Sequence, residues 1–166
     1  MLLYRFYKLI TQIVRPFVPF FINRRLSQNK EDKMRVSERY GISSVKRGDG
    51  KVIWFHAASI GESLSILPVL KKLNSDKSIN QILLTTGTLS AANVLKKFLS
   101  KKIIHQFIPF DVPYYVRRFL NHWDPSIAIF VESEIWPNFL YELKNRKIHS
   151  IIAVSYTHLR AHETSL

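Results

Sequence analysis

From residue 51 onward the chain alternates between two kinds of segment. Near-continuous apolar runs predict strands over Val52–Ala57, Gln81–Thr86, Ile103–Phe110, Ser126–Val131 and Ser150–Val154. Amphipathic stretches between them predict helices around Ser63–Leu73, Ser90–Leu99, Pro113–Asn121 and Trp136–Asn145. Strands that are apolar throughout, separated by helices, belong to a parallel sheet covered on both faces. The expected fold is therefore α/β, a Rossmann-like parallel sheet over residues 51–154. The sequence contains no GxGxxG and no Walker A pattern, so the common dinucleotide and P-loop readings lose support.

The front of the chain has a different pattern. Leu2, Leu3, Phe6, Leu9, Ile10, Ile13 and Val14 recur at helical spacing, with Arg5, Lys8, Gln12 and Arg15 on the opposite face. A spanning helix needs about 20 predominantly apolar residues, and this stretch is interrupted by its charges and then by Pro16 and Pro19. Residues 1–26 are accordingly expected to lie in a membrane interface, with Arg24 and Arg25 reaching lipid phosphates. Three other readings stay open: a signal peptide, for which no small-residue cleavage site follows, a buried helix docked on the same domain, and a single-pass insertion. Residues 27–50 are polar, contain Gly41, Gly48 and Gly50, and read as a connector holding a short helix around Lys33–Tyr40.

Composition sharpens this picture at two points. The formal net charge is +13, and residues 1–50 hold eleven Lys/Arg against four Asp/Glu, so an excess share of it sits in the front third. A basic front end faces a polyanion. The apolar block Phe17, Phe20, Phe21 and Ile22 favours an anionic membrane over nucleic acid, for which no motif accompanies the charge. With no cysteine, disulfides and thiolate metal sites are excluded. His56, His105, His122 and His149 lack metal-ligand spacing and read as structural or surface residues.

Candidate chemistry sits where strands end. Ser59, Ile60, Gly61 and Glu62 join the first strand to its helix: Gly61 allows a tight turn or close backbone approach, and the helix's first amides suit an anion. The same residues equally describe a plain capping box. Thr85 to Thr88 follow the second strand, and the hydroxyls of Thr86 and Thr88 suit phosphate or sugar, or an ordinary turn. Glu132 and Glu134 follow the fourth strand and share a face if strand geometry persists. Trp136-Pro137 beside them could wall a cavity or simply start a helix. Asp111, before Pro113, is expected to cap a helix.

Taken in order, Glu38-Arg39-Tyr40-Gly41, His56 to Glu62, Thr85 to Thr88, Pro109-Phe110-Asp111, Arg118-Phe119-Leu120 and Glu132 to Asn138 resemble the N-terminal half of bacterial 3-deoxy-D-manno-octulosonic acid (Kdo) transferases, over roughly residues 1–154. The resemblance implies the N-terminal half of a GT-B glycosyltransferase, with acceptor bound by this half and the donor, CMP-Kdo, by a second. It implies an inverting transfer of Kdo to the lipid A precursor (lipid IVA) at the cytoplasmic face of the bacterial inner membrane, without a metal or other cofactor. Glu62 would be the general base and Glu132 a stabiliser of the transition state. Ser59, Gly61, Thr86, Thr88, Glu134 and Arg39 are the candidates for acceptor or anion binding, and Arg5, Lys8, Arg15, Arg24 and Arg25 for the membrane.

The resemblance ends near residue 154. The family continues there with an Asn-x-Arg segment, whereas Ser155 to Leu166 match neither the family nor a helix or strand period, and are expected to be non-native. A donor half is then missing, and this chain alone is expected not to catalyse transfer. The competing reading, from a different class, is a non-catalytic, membrane-associated binding domain.

Overall fold

The five apolar runs form the strands β1 (Val52–His56), β2 (Gln81–Thr86), β3 (Ile103–Phe107), β4 (Ile127–Val131) and β5 (His149–Ala153). The computed structural model describes residues 2–132 and 136–154; the expected non-native tail and Glu134 lie outside them. All the strand pairings are parallel, in the order β3-β2-β1-β4-β5. Helices α3 (Ile60–Ser65), α4 (Leu67–Ser75), α5 (Leu89–Leu95), α6 (Pro113–Trp123) and α7 (Pro137–Asn145) connect them. The front of the chain forms α1 (Leu2–Val14), a short 3₁₀ turn, and α2 (Val18–Ser27), followed by a 3₁₀ helix over Lys33–Tyr40.

Period-two alternation sorts the strands' side chains onto two faces. Val52, Trp54, Leu83, Ala128 and Phe130 pack under α6 and α7 with Phe119, Trp123 and Phe139. Phe55, Ala57, Ile82, Leu84 and Val131 face α4 and α5 through Ile66, Leu70 and Leu95. Trp54 is central to the first cluster, its ring 5.0 Å from Phe119 and 5.3 Å from both Phe130 and Phe139. Its indole N–H donates to Thr85 Oγ1 at 2.8 Å, so the buried polar atom is satisfied.

Several ends shift by a residue or two, the helix expected over Ser90–Leu99 ends at Leu95 and passes into a 3₁₀ turn over Lys96–Phe98, and two further differences have a plain cause. The helix expected over Ser63–Leu73 is two helices, because Pro68 lies in the first turn of α4 and cannot donate back to the preceding turn. Strand β3 stops at Phe107, not Phe110. Pro109 has no amide for a ladder, and the carbonyl of Ile108 is claimed by a side chain, Arg39.

That side chain belongs to the segment expected as a connector, which is fastened to the sheet edge. Glu38 is buried and accepts from the Phe107 amide at 2.7 Å and from Arg35 at 2.8 and 2.9 Å. The buried Arg39 guanidinium donates to Glu31 at 2.9 Å, to the Ile108 carbonyl at 3.1 Å and to the Gly87 carbonyl at 2.8 Å. Gly41 ends the segment with φ +74°, and a Cβ there would run into the Tyr115 carbonyl, so glycine is required. Two histidines complete the inner layer. Because Arg35 only donates, its bond to His105 Nδ1 puts the ring proton on Nε2, which then donates to Thr86 Oγ1.

Burial pulls His56 down to about 4, and burial followed by the charges of Arg35 and Arg39 pulls His105 down to about 3. Both are neutral in the folded protein, whereas in the unfolded chain they protonate near 6.5. Their contribution to stability is complete above that pH and is lost as pH falls from 6.5 toward 4. Thermal melts should therefore show a clearly lower midpoint at pH 5 than at pH 7.5; an unchanged midpoint contradicts the assignment. Arg39→Ala should cost about 3 kcal/mol in a denaturant melt, the low end for breaking a buried ion pair, because Arg25 still neutralises Glu31 at 2.6 Å.

Candidate active site

In the order β3-β2-β1-β4-β5 the chain winds outward from β1 in one direction and from β4 in the other. Connections therefore diverge between β1 and β4, and the crevice beyond their carboxyl ends is where open α/β sheets bind ligands. The paired register runs to His56 opposite Phe130, so the loops that leave β1 and β4 start side by side. One carries Glu62, the other Glu132.

Glu62 is half-buried at the third position of α3. Its two carboxylate oxygens accept from the Ala58 amide at 2.8 Å and from the Ser59 hydroxyl at 2.7 Å. Ser59 Oγ in turn accepts from the Glu62 amide at 3.3 Å. This is the capping-box geometry read from the sequence, with the back-bond made to Ala58. It also orients a carboxylate at the crevice while leaving it lone pairs for an incoming proton. Capping and base chemistry are thus compatible in one side chain. Gly61 is not in the left-handed region that a tight turn would need, and a Cβ on it would meet nothing within 4 Å.

Strand geometry does not persist beyond β4. Glu132 has φ +61°, a left-handed conformation costing a non-glycine residue on the order of 1 kcal/mol. The Glu132 amide still donates to the Ala153 carbonyl at 2.8 Å, the last bond of the β4–β5 ladder, before the chain turns. The shared-face argument for Glu132 and Glu134 therefore fails at Glu132, and the carboxylate of Glu132 is re-aimed where the strand ends.

The threonines are placed differently from the glutamates. Thr86 is buried, with its hydroxyl between His105 and the Thr88 carbonyl, and Thr88 caps α5 through the Ala91 amide at 3.2 Å. Arg39 braces the loops after β2 and β3 from behind, through Gly87 and Ile108. A small cavity of about 140 Å³ opens beside it, lined among others by Arg25, Gly87, Phe110 and Trp136. Trp136, 5.7 Å from the His56 ring, also walls a second cavity of about 390 Å³ that runs toward Tyr7, Val18 and Phe21. Among the described residues no group of three or more acidic or histidine side chains could hold a metal ion.

Asp111 does cap a helix, though not the one that follows it. Its carboxylate accepts from the amides of Asn138 at 3.1 Å and Phe139 at 3.2 Å, at the start of α7. It also accepts from the Tyr7 hydroxyl at 2.8 Å. Burial raises the Asp111 carboxyl, and these three donors oppose the rise. No local signal reveals this link, because the partners lie 27 and 104 residues away.

The front helix docks on the domain by its polar face. Tyr4 stacks on Tyr141 at 4.1 Å, Thr11 accepts from Asn138 at 3.2 Å, and Arg15 lies 4.2 Å over the Tyr114 ring. Lys8 sits 5.7 Å over the Tyr141 ring. No residue of α1 is buried, and Leu2 and Leu3 are 83% and 82% exposed. Helix α1 is docked on the domain without being buried in it: the polar stripe is used by the protein, and the apolar stripe faces outward. Arg5 and Arg24 are exposed, whereas Arg25 turns to Glu31. Among the described residues no helix is long and apolar enough to cross a membrane.

Comparison with known proteins accords with this geometry. Residues 34–157 match the family model described as 3-deoxy-D-manno-octulosonic-acid transferase (kdotransferase). The chain is 42% identical over 137 residues to a protein named probable 3-deoxy-D-manno-octulosonic acid transferase, mitochondrial, of Arabidopsis thaliana, covering 82% of the chain and 31% of the relative. It is 36% identical over 138 residues to the transferase of Rickettsia bellii, covering 83% and 33%, and 30% identical over 149 residues to that of Haemophilus influenzae, covering 89% and 35%. The chain thus spans about a third of the length of these curated relatives. With its parallel sheet, paired crevice loops and this match, the chain belongs to the 3-deoxy-D-manno-octulosonic-acid transferase family of glycosyltransferases, whose N-terminal region it represents.

Proposed function

We propose that the full-length protein transfers Kdo from CMP-Kdo to the lipid A precursor with inversion at the anomeric carbon, and that Glu62 is the general base. The observation that carries this reading is the delivery of Glu62 and Glu132 to one crevice, by the loops after the two adjacent strands β1 and β4, in a chain of this family. The acceptor hydroxyl attacks the anomeric carbon and its proton passes to the Glu62 carboxylate. The bond from that carbon to the phosphate oxygen breaks, and the electron pair leaves with CMP. Glu132 is the second negative group at the crevice, suited to steady positive charge that develops on the sugar ring. The donor is held by the part of the protein that this chain does not span, so the chain alone does not turn over CMP-Kdo.

The lipid acceptor calls for attachment to a membrane, and the outward apolar stripe of α1 supports it. Leu2, Phe6, Leu9 and Ile13 are exposed together, continuous with Phe17 and Phe20. We place this face in the cytoplasmic leaflet of the bacterial inner membrane, with Arg5 and Arg24 near anionic headgroups.

Glu62→Gln discriminates base from cap, because glutamine serves the third position of a capping box equally well. In the full-length protein it should leave the melting midpoint within a degree or two while lowering Kdo transfer at least about a hundredfold. Transfer within a few-fold of wild type would overturn the base assignment and favour a non-catalytic acceptor-binding domain. Leu9→Glu with Ile13→Glu should weaken binding to anionic vesicles at least about tenfold, since each leucine-sized side chain buried is worth about 1.5–3 kcal/mol. Unchanged binding would contradict the membrane face.

A further inference from the structure

Helix α6 buries Tyr115, Val116, Phe119, Leu120 and Trp123 and turns a second stripe outward. Tyr114, Arg117, Arg118 and Asn121 recur on that stripe at the spacing of one helical face, and they line an open groove of about 380 Å³. Arg15, in the 3₁₀ turn after α1, reaches the same stripe, its guanidinium 4.2 Å from the Tyr114 ring centroid. The Arg118 guanidinium lies 4.6 Å from that centroid, so one ring carries two cations. Farther along, Arg146 donates to Asn121 at 2.6 Å.

Arg15, Arg117, Arg118 and Arg146 thus gather around a single carboxylate. Among the described residues Glu142 is the only acid in ion-pair range of them, 3.7 Å from Arg117 and 4.0 Å from Arg146. Arg118 donates to neutral oxygens, the Tyr40 carbonyl at 3.3 Å and the Tyr114 hydroxyl at 2.6 Å. Those bonds orient its fork without neutralising it. Guanidinium groups gathered in this way repel one another, and an anion that accepts from several forks at once relieves the repulsion.

The neighbours decide which anion. Two residues beyond Arg15 is Phe17, 59% exposed and continuous with the outward apolar stripe of α1. An apolar face seated about 5–10 Å into the headgroup boundary brings the adjoining protein surface to the level of the lipid phosphates. A nucleic-acid backbone offers no counterpart to that apolar border. We propose that Arg15, Arg117 and Arg118 form a site for the phosphodiester of an anionic glycerophospholipid of the surrounding bilayer. The inference rests on the membrane reading given above and deepens it: the stripe supplies insertion, and the groove supplies selection of the headgroup. Guanidinium forks suit this role better than ammonium groups, because they meet phosphate oxygens in pairs.

Sedimentation of the full-length protein tests the site, with vesicles of phosphatidylcholine, alone or mixed with phosphatidylglycerol, and free of the acceptor lipid. The wild type should prefer the anionic vesicles at least about tenfold. Arg15→Gln with Arg117→Gln, both exposed, should lower that preference at least about fivefold, while affinity for phosphatidylcholine alone stays within about twofold. Arg117→Lys with Arg118→Lys keeps both charges but removes the forks, and should lower the preference at least about threefold. Lys71→Gln with Lys72→Gln removes the same charge from α4, on the opposite face of the sheet, and should change it less than about twofold.

A preference unchanged in the first pair, kept whole in the lysine pair, or lowered equally by the α4 pair overturns the site alone. The first pair and the α4 pair carry the test if the lysine pair fails to fold. A deficit that appears only once the acceptor lipid is added also overturns it, because the phosphate recognised is then the acceptor's. Tighter binding to a DNA duplex than to anionic vesicles, lost in the first pair, overturns it in favour of nucleic acid. A wild type that binds both vesicle compositions equally overturns the site alone, and one that binds neither overturns the membrane reading and the site with it.

Discussion

Parallel strands that end on one edge leave their last amides and carbonyls beyond the reach of the ladder, and most of this structure's polar architecture answers that constraint. Glu38 takes the Phe107 amide, and Arg39 takes the carbonyls of Gly87 and Ile108. Ser59 and Thr88 cap α3 and α5 from their own loops, while α7 is capped from another loop by Asp111. Each solution fixes a loop at the carboxyl end of the sheet. These bonds hold described loops at the end of the sheet where the proposed base lies, and a fixed surround suits a base that must meet a hydroxyl at a defined distance.

The same edge meets the front helices. A surface helix ordinarily turns its apolar stripe inward; α1 does the reverse, giving Tyr4, Tyr7, Lys8 and Thr11 to the domain and its leucines, isoleucines and phenylalanine to the outside. Helix α2 is the anchor for both, through Val18 and Ile22 packed on Val112 and Tyr115.

Much of this was legible in the sequence because it is local. The strands follow from uninterrupted apolar runs, and the Ser59–Glu62 box from a four-residue pattern. The split of the helix at Pro68 was missed, although the proline stands in plain view. What was not legible is long-range. Amphipathicity gives α1 two faces without saying which one meets the protein, and that choice is made by Tyr141, Asn138 and Asp111, far along the chain. Arg39 reads as an anion ligand until Glu31, Gly87 and Ile108 converge on it. The carboxylate pair Glu132 and Glu134 reads as a strand motif until the left-handed turn at Glu132 is seen.

The most direct test of the account is the structure of the full-length protein with the lipid A precursor bound. The reacting hydroxyl should lie within about 3 Å of the Glu62 carboxylate, in the crevice between the ends of β1 and β4. A bound acceptor whose reacting hydroxyl lies away from Glu62, on another face of the sheet, would contradict it.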